Sequence, residues 1–153
     1  MLVYLTIIVI ICSYAYMSLK PRSDFQIIQS QLCNVYDSVL YEKYPILLND
    51  KLVNVEDLCG TLFKYQYVFK RVSVHSKNEI MKSYSKFVVL HNNTTVDTNI
   101  TLSNPKGSQV NMIVPAYNVL IVPYLWGISG NDQGMDCIHL NDFMHFFFNI
   151  HLN

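Results

Sequence analysis

Charged side chains are scarce in this chain: Asp, Glu, Lys and Arg make up 14% of it, and the eleven basic and eleven acidic residues cancel. Such a balance leaves no electrostatic footprint for a phosphate backbone, which argues against nucleic acid as a partner. Close cysteine pairs are missing as well. Cys12, Cys33, Cys59 and Cys137 stand far apart with no CxxC unit, so neither a zinc site nor a dense disulfide framework is indicated. A reducing compartment fits that pattern, while a single bridge among Cys33, Cys59 and Cys137 stays open. The five histidines, His75, His91, His139, His145 and His151, contain no HxH, HxD or HExxH unit. The last three are spaced so that a helix would turn about 600° between them, and they cannot converge on one ion from that segment alone. No GxSxG elbow and no glycine-rich phosphate loop occurs, and Gly127-Ile128-Ser129-Gly130 lacks a strand-turn-helix setting. The adjacent carboxylates Glu56-Asp57 and the pair Asp132/Asp136 are more simply a helix start and a solvated loop. These absences leave no catalytic constellation. The chain is read as non-enzymatic, with no metal and no cofactor.

What is present in quantity is apolar and aromatic side chain, 51% hydrophobic with eleven tyrosines and eight phenylalanines. The densest run is residues 1–19, which holds no charged side chain and stops at Lys20-Pro21-Arg22. About 20 apolar residues is the length a helix needs to cross a bilayer core, and Leu2, Val3, Leu5, Ile7, Ile8, Val9, Ile10 and Ile11 are the anchor residues expected from this run. A cleaved signal peptide is the competing reading, but it wants a basic region ahead of the apolar core, and Ser13-Tyr14-Ala15 is a weak cleavage site. The basic residues instead follow the run, at Lys20 and Arg22, which favours a single-pass anchor with the body on the cytosolic side. Three sequons, at Asn92, Asn93 and Asn99, speak for a lumenal body and leave a secreted glycoprotein as an alternative.

Behind the anchor, residues 20–37 are expected to form a linker and short helix, and residues 38–153 one β-rich domain. Phe25, Ile28, Leu32 and Val35 recur at helical spacing after Ser23 and Asp24, either of which can cap. Tyr44-Pro45-Ile46-Leu47-Leu48 suits a strand that ends in the Asn49-Asp50 turn. Asn54 is an N-cap candidate for a short helix closed by Gly60, with Val55, Leu58 and Leu62 facing inward. Residues 63–72 alternate aromatic or β-branched with polar residues, the clearest strand pattern in the chain. Further extended runs cover residues 84–91, 96–102, 110–116 and 118–124, separated by turns at Asn92-Asn93 and Asn104-Pro105-Lys106-Gly107. Pro115 and Pro123 confine their runs to edges or strand ends. Residues 127–134 are expected as loop. A last apolar segment covers residues 136–151, and its end is expected as a helix capped by Asn141 or Asp142. Short strands with short helices at both ends argue a mainly β, α+β domain built as an antiparallel sandwich or barrel. Phe63, Tyr65, Tyr67 and Phe69 share one face of the alternating strand. That face is a core stripe or, together with Trp126, an interaction surface.

Two stretches carry a resemblance. Tyr41-Glu42-Lys43-Tyr44-Pro45-Ile46-Leu47-Leu48 and, later, Pro115-Ala116-Tyr117-Asn118-Val119-Leu120-Ile121-Val122-Pro123-Tyr124-Leu125-Trp126 resemble the opening and closing strand motifs of cupin-like, JmjC-related jelly-roll domains. The family's histidine after the tryptophan is absent, since Gly127 follows Trp126, and its HxD pair has no counterpart. The resemblance therefore implies the jelly roll without the iron-dependent chemistry. The alternative is a cupin-type metal enzyme with ligands among His75, His91 and His139. The apolar N-terminal segment, Asp24-Phe25-Gln26-Ile27-Ile28-Gln29, Tyr44-Pro45-Ile46 and Leu62-Phe63-Lys64-Tyr65-Gln66-Tyr67 also resemble membrane-anchored proteins of large nucleocytoplasmic DNA viruses. That likeness implies a minor virion component linking an internal membrane to the capsid. Its partners would be the lipid bilayer, capsid or other virion proteins, and a second copy of the chain.

Overall fold

Strands that are apolar at every position need cover on both faces, whereas strands that alternate need it on one. Both kinds occur in the computed structural model, which describes residues 2–35, 38, 43–50, 53–62, 68–73, 81–82, 85–130 and 135–141. Val119–Pro123 is buried throughout and Phe87–Asn92 at all positions but His91. Gln109–Val114, by contrast, alternates exposed and half-buried positions until its last residue.

The elements in chain order are helix α1 (Leu2–Leu19), β1 (Ile28–Ser30), a 3-10 turn (Leu32–Asn34), β2 (Ile46–Leu48), helix α2 (Val55–Leu62), β3 (Val68–Ser73), β4 (Met81–Lys82), β5 (Phe87–Asn92), β6 (Thr98–Ser103), β7 (Gln109–Val114), β8 (Val119–Pro123), β9 (Gly127–Gly130) and β10 (Met135–Asn141). Two sheets form, one ordered β1-β2-β8-β5-β10-β3 and one ordered β4-β9-β6-β7. From β3 onward the chain passes between the sheets at almost every step, β6 to β7 being the one hairpin that stays within a sheet. This is the mainly β, two-sheet, α+β architecture expected from the strand spacing.

The six-stranded sheet separates two cores. On one face Val89, Ile121, Ile138 and Leu140 pack with Leu58, Cys59 and Leu62 of α2 and with Val35 and Val53. On the other, Val88, Leu90, Leu120, Val122 and Cys137 meet Ile100, Leu102, Val114 and Ile128 of the second sheet, with Tyr44 and Trp126. Each fully buried Val, Leu or Ile contributes about 1.5–3 kcal/mol relative to exposure, so the double cover of β5, β8 and β10 is the largest apolar term in the body.

Helix α2 begins as expected: Asn54 Oδ1 accepts from the amides of Glu56 at 3.0 Å and Asp57 at 3.5 Å. Its inner face carries Leu58 and Leu62. It does not stop at Gly60, which lies inside it. Three other expectations are corrected. The periodic stretch from Phe25 to Val35 is not a helix but β1 and the 3-10 turn. Its amides find lateral partners instead, Ile28 N–H on the Pro45 carbonyl at 2.9 Å, Asn49 N–H returning to the Ser30 carbonyl at 3.0 Å, and Leu32 N–H on the Asp50 carboxylate. The β1–β2 pair is moreover parallel, whereas the other strand pairs among the described residues are antiparallel. Residues 127–130 are not loop but β9, paired with β4 and β6. The last apolar segment enters as β10, a strand between β5 and β3. The helix expected beyond Asn141, and residues 63–67 of the alternating strand, lie outside the described residues.

Gly130 has φ +152°, and a Cβ there would sit 2.9 Å from the Asn99 carbonyl oxygen and 3.0 Å from Ile100 Cα, both backbone. Gly130→Ala is expected to destabilise the body by about 1–3 kcal/mol, read as a lower denaturant midpoint. An unchanged midpoint would contradict the close approach of β9 to β6.

Candidate functional site

Helix α1 is apolar on every side. Leu2 (82% exposed), Val3, Leu5, Ile7, Ile8, Val9, Ile10 (62%) and Ile11 are all exposed, as are Tyr4, Tyr14, Tyr16 and Met17. A helix hydrophobic all round is ordinarily buried, in a core or in lipid. Among the described residues, no helix is long and apolar enough to cross a membrane. The 18 residues of α1 reach about 27 Å, beside a hydrocarbon core of about 30 Å.

The base of α1 is clasped by cations. The Lys43 ammonium donates to the Met17 carbonyl and, at 3.2 Å, to the Lys20 carbonyl, so it satisfies carbonyls that a helix end leaves open and opposes the negative end of the helix dipole. Lys43 holds φ +54° to do so. One residue on, Tyr44 OH accepts from Arg22 Nη1 at 3.3 Å, with the guanidinium 5.2 Å from the ring centroid. Lys20 Nζ lies 5.4 Å from the Tyr16 ring centroid. Burial, and then the charges of Lys86, Arg22 and Lys20, push the Lys43 ammonium pKa below the ordinary 10.5.

Sheet register shows how distant lysines reach this place. Ile46 pairs with Ile121 and Phe87 with Pro123. Continuing the first register sets Tyr44 level with Pro123, so Lys43 and Lys86 stand at the same end of the sheet. Ser103 pairs with Gly127 in the facing sheet, and the turn that follows is tied to the α1 side by Asn104 Nδ2 donating to the Ser23 carbonyl at 2.7 Å. That turn carries the exposed Lys106. Lys20 and Arg22 were visible in the sequence as a basic flank; Lys43, Lys86 and Lys106 carried no local signal, because each is an isolated lysine in its own segment.

The expected aromatic surface is corrected in part. Trp126 is fully buried in the core between the sheets, edge-on to Phe25 with centroids 5.3 Å apart and planes at 75°. It is core, not surface, because its position directly before β9 turns it between the sheets. Phe69 pairs through its backbone with Leu140. Phe63, Tyr65 and Tyr67 lie outside the described residues.

The two described histidines, His91 and His139, do not converge. His91 follows Phe87 and Val89 on the α2 side of the sheet, with Nδ1 4.0 Å from Asp136 Oδ2, whereas His139 follows Cys137 on the side facing the second sheet. Among the described residues no group of three or more His, Cys, Asp or Glu could hold a metal ion; His75 lies outside them. His139 does sit between Ser85 Oγ at 3.0 Å from Nδ1 and Cys137 Sγ at 3.6 Å from Nε2. That order of groups permits proton exchange between thiol and imidazole, but Cys137 is fully buried and shielded from any substrate. Cys12, Cys33, Cys59 and Cys137 are not joined in disulfides.

The sequons also separate. Asn92 is fully buried, its Nδ2 donating to the carbonyls of Val96 (2.9 Å), Val114 (3.0 Å) and Pro115 (3.2 Å), while Oδ1 accepts from Thr94 Oγ1 at 2.6 Å. A folded body cannot present it to a transferase. Asn93 and Asn99 are exposed.

No family model matches this chain, and neither a curated protein nor a solved structure matches it.

Two outcomes follow from this geometry. Trp126→Ala is expected to cost about 3–5 kcal/mol of stability in denaturant unfolding, as for a large core aromatic; a loss below about 1 kcal/mol would return it to the surface. The Lys43 Nζ resonance of the full chain in detergent is expected to titrate below 10.5, and a midpoint at or above that value would contradict its burial near Lys86, Arg22 and Lys20.

Proposed function

We propose that the chain is a non-enzymatic, membrane-attached binding module in which α1 is embedded in a bilayer and the two-sheet body faces the cytosol to engage a protein partner. The single observation carrying this reading is the exposure of an all-round apolar α1 beside a cationic base. Left in water, its side chains make a contiguous apolar surface of the kind that soluble monomers rarely keep. A helix a few ångströms short of the hydrocarbon core is accommodated by local thinning and by flanking side chains that snorkel to the interface, here Lys20 and Arg22. The basic base favours the cytosolic orientation.

The finer reading of the body is a cupin-like jelly roll. It is supported by the order β3-β10-β5-β8 opposite β4-β9-β6-β7, in which successive strands alternate between two sheets, the arrangement common to capsid, lectin and cupin jelly rolls. Such a fold hosts many unrelated functions and selects none of them. The proposal of a minor virion component joining an internal membrane to a capsid rests on the sequence resemblance alone.

Extraction of membranes at alkaline pH without detergent tests attachment. The intact chain is expected in the pellet, and its release into the soluble fraction would sink the proposal. Ile8→Arg, near the middle of α1, is expected to shift the chain toward the soluble fraction, since a central arginine costs about 2.5–3.5 kcal/mol on insertion. Orientation is tested separately: a mobility shift on deglycosylation, lost in Asn93→Gln/Asn99→Gln, would put the body on the lumenal side instead.

A further inference from the structure

We propose that β7 is a pairing strand, through which two copies of this chain join edge to edge, antiparallel about a two-fold axis at Asn111, so that their four-stranded sheets become one of eight. The pairing stands on β7 itself; only its consequence for membranes rests on the attachment proposed above.

Among the described residues four strands end the two sheets, and three of them carry the devices that discourage pairing. β1 has three residues and β4 two, and β3 bears Lys70 and Arg71. β7 has six residues, Gln109–Val114, with neither charge nor proline, and no described strand lies beyond it. Its core-facing side chains are incompletely covered: Val110 and Met112 pack against the core between the sheets yet stay only partly buried. Facing residues of an antiparallel pair project to the same side. A copy turned about an axis through Asn111 therefore sets Val110 against the partner's Met112, twice, and closes the open edge of that core. On the outer side Ile113, 55% exposed, meets the stem of the partner's Gln109. Asn111 meets the partner's Asn111; Thr101 Oγ1 already donates to Asn111 Oδ1 at 2.7 Å, which leaves the Nδ2 amide to donate across the axis. The same rotation brings the exposed Lys106 turn of each copy to the end of β7 where the other holds Asp97, whose carboxylate accepts from Ala116 N–H at 2.9 Å. The occupant is a second copy because strand, core edge and charges are each complementary to themselves. Gln109 lies level with Ser103 at the α1 end of the body and Val114 at the other, so the two α1 helices attach at opposite ends of the joined sheet. With α1 embedded as proposed, a pair links copies anchored in two facing bilayers.

The test is the mass of the full chain in detergent, measured by light scattering and corrected for bound detergent. A dimer is expected. Asn111→Lys, which sets two ammonium groups opposite one another at an exposed position, is expected to weaken it about tenfold. A monomeric wild type overturns the pairing, and so does a dimer that Asn111→Lys leaves intact, which would assign the contact to α1 instead. Register is read in a Cys12→Ser/Cys33→Ser background. There Asn111→Cys is expected to form a disulfide with its own copy, the two Cα atoms standing about 4.5–5.5 Å apart, and Gln109→Cys, opposite the partner's Ile113, is not. Crosslinking of Gln109→Cys in preference to Asn111→Cys overturns the axis at Asn111. Phosphatidylcholine vesicles loaded with the full chain are expected to cluster, and those loaded with Asn111→Lys to stay apart. A dimer in detergent without clustering of loaded vesicles overturns the link between facing bilayers and leaves the pairing standing. A chain that never enters the vesicles overturns attachment, while the detergent result still decides the pairing.

Discussion

The body depends on one constraint: the sheet that contains β8, β5 and β10 must be covered on both faces. Once Val119–Pro123 is apolar at every position, a single layer against it is insufficient, and two different layers are needed. The chain supplies α2 with Val35 and Val53 on one side and a second sheet on the other. The repeated crossing between sheets from β3 to β10 follows from this, since each crossing adds a strand to one layer and then to its cover. The second sheet is the outer layer, and β7 at its edge is accordingly the strand that alternates.

Polar groups enclosed by this arrangement are used as fasteners. Asn92 closes β5 by donating to three carbonyls around the β6–β7 side of the fold. Asn118 Nδ2 donates to the Leu48 carbonyl at 3.1 Å and holds the start of β8 to the end of β2. Asn104 performs a similar task at the other end of the body, toward Ser23. Asn92, which in sequence heads a sequon, is thus one of a set of turn and strand-end locks with Asn104 and Asn118.

Much of the architecture was legible because it rests on local signals. The cap at Asn54, the turn at Asn104–Gly107, the strands around residues 87–92 and 98–103, and the inward face of α2 each announce themselves within a few residues. The errors arose where long-range pairing outcompeted a local pattern. The 3.6-residue spacing of Phe25, Ile28, Leu32 and Val35 is real, but β2 and Asp50 offer the backbone there better partners than its own next turn. Gly127 and Gly130 look like loop punctuation, whereas Gly130 is required because β6 passes too close for a side chain. Trp126 looked like a surface anchor because nothing in sequence shows which side of the chain a core will occupy. The gathering of Lys43 and Lys86 near Lys20 was illegible for the same reason: residues far apart in the chain come together there only through the fold.

The Lys43 clasp has a mechanical meaning. Tension between a bilayer and the body would otherwise run from α1 along residues 20–27 into β1, a three-residue edge strand, and peel it away. Lys43 instead ties the α1 base directly to the residues leading into β2, which is hydrogen-bonded to β8 as well as β1. Load is therefore shared between an edge and an interior strand, and the joint between helix and body behaves as a braced hinge with a restricted swing and not as a free leash.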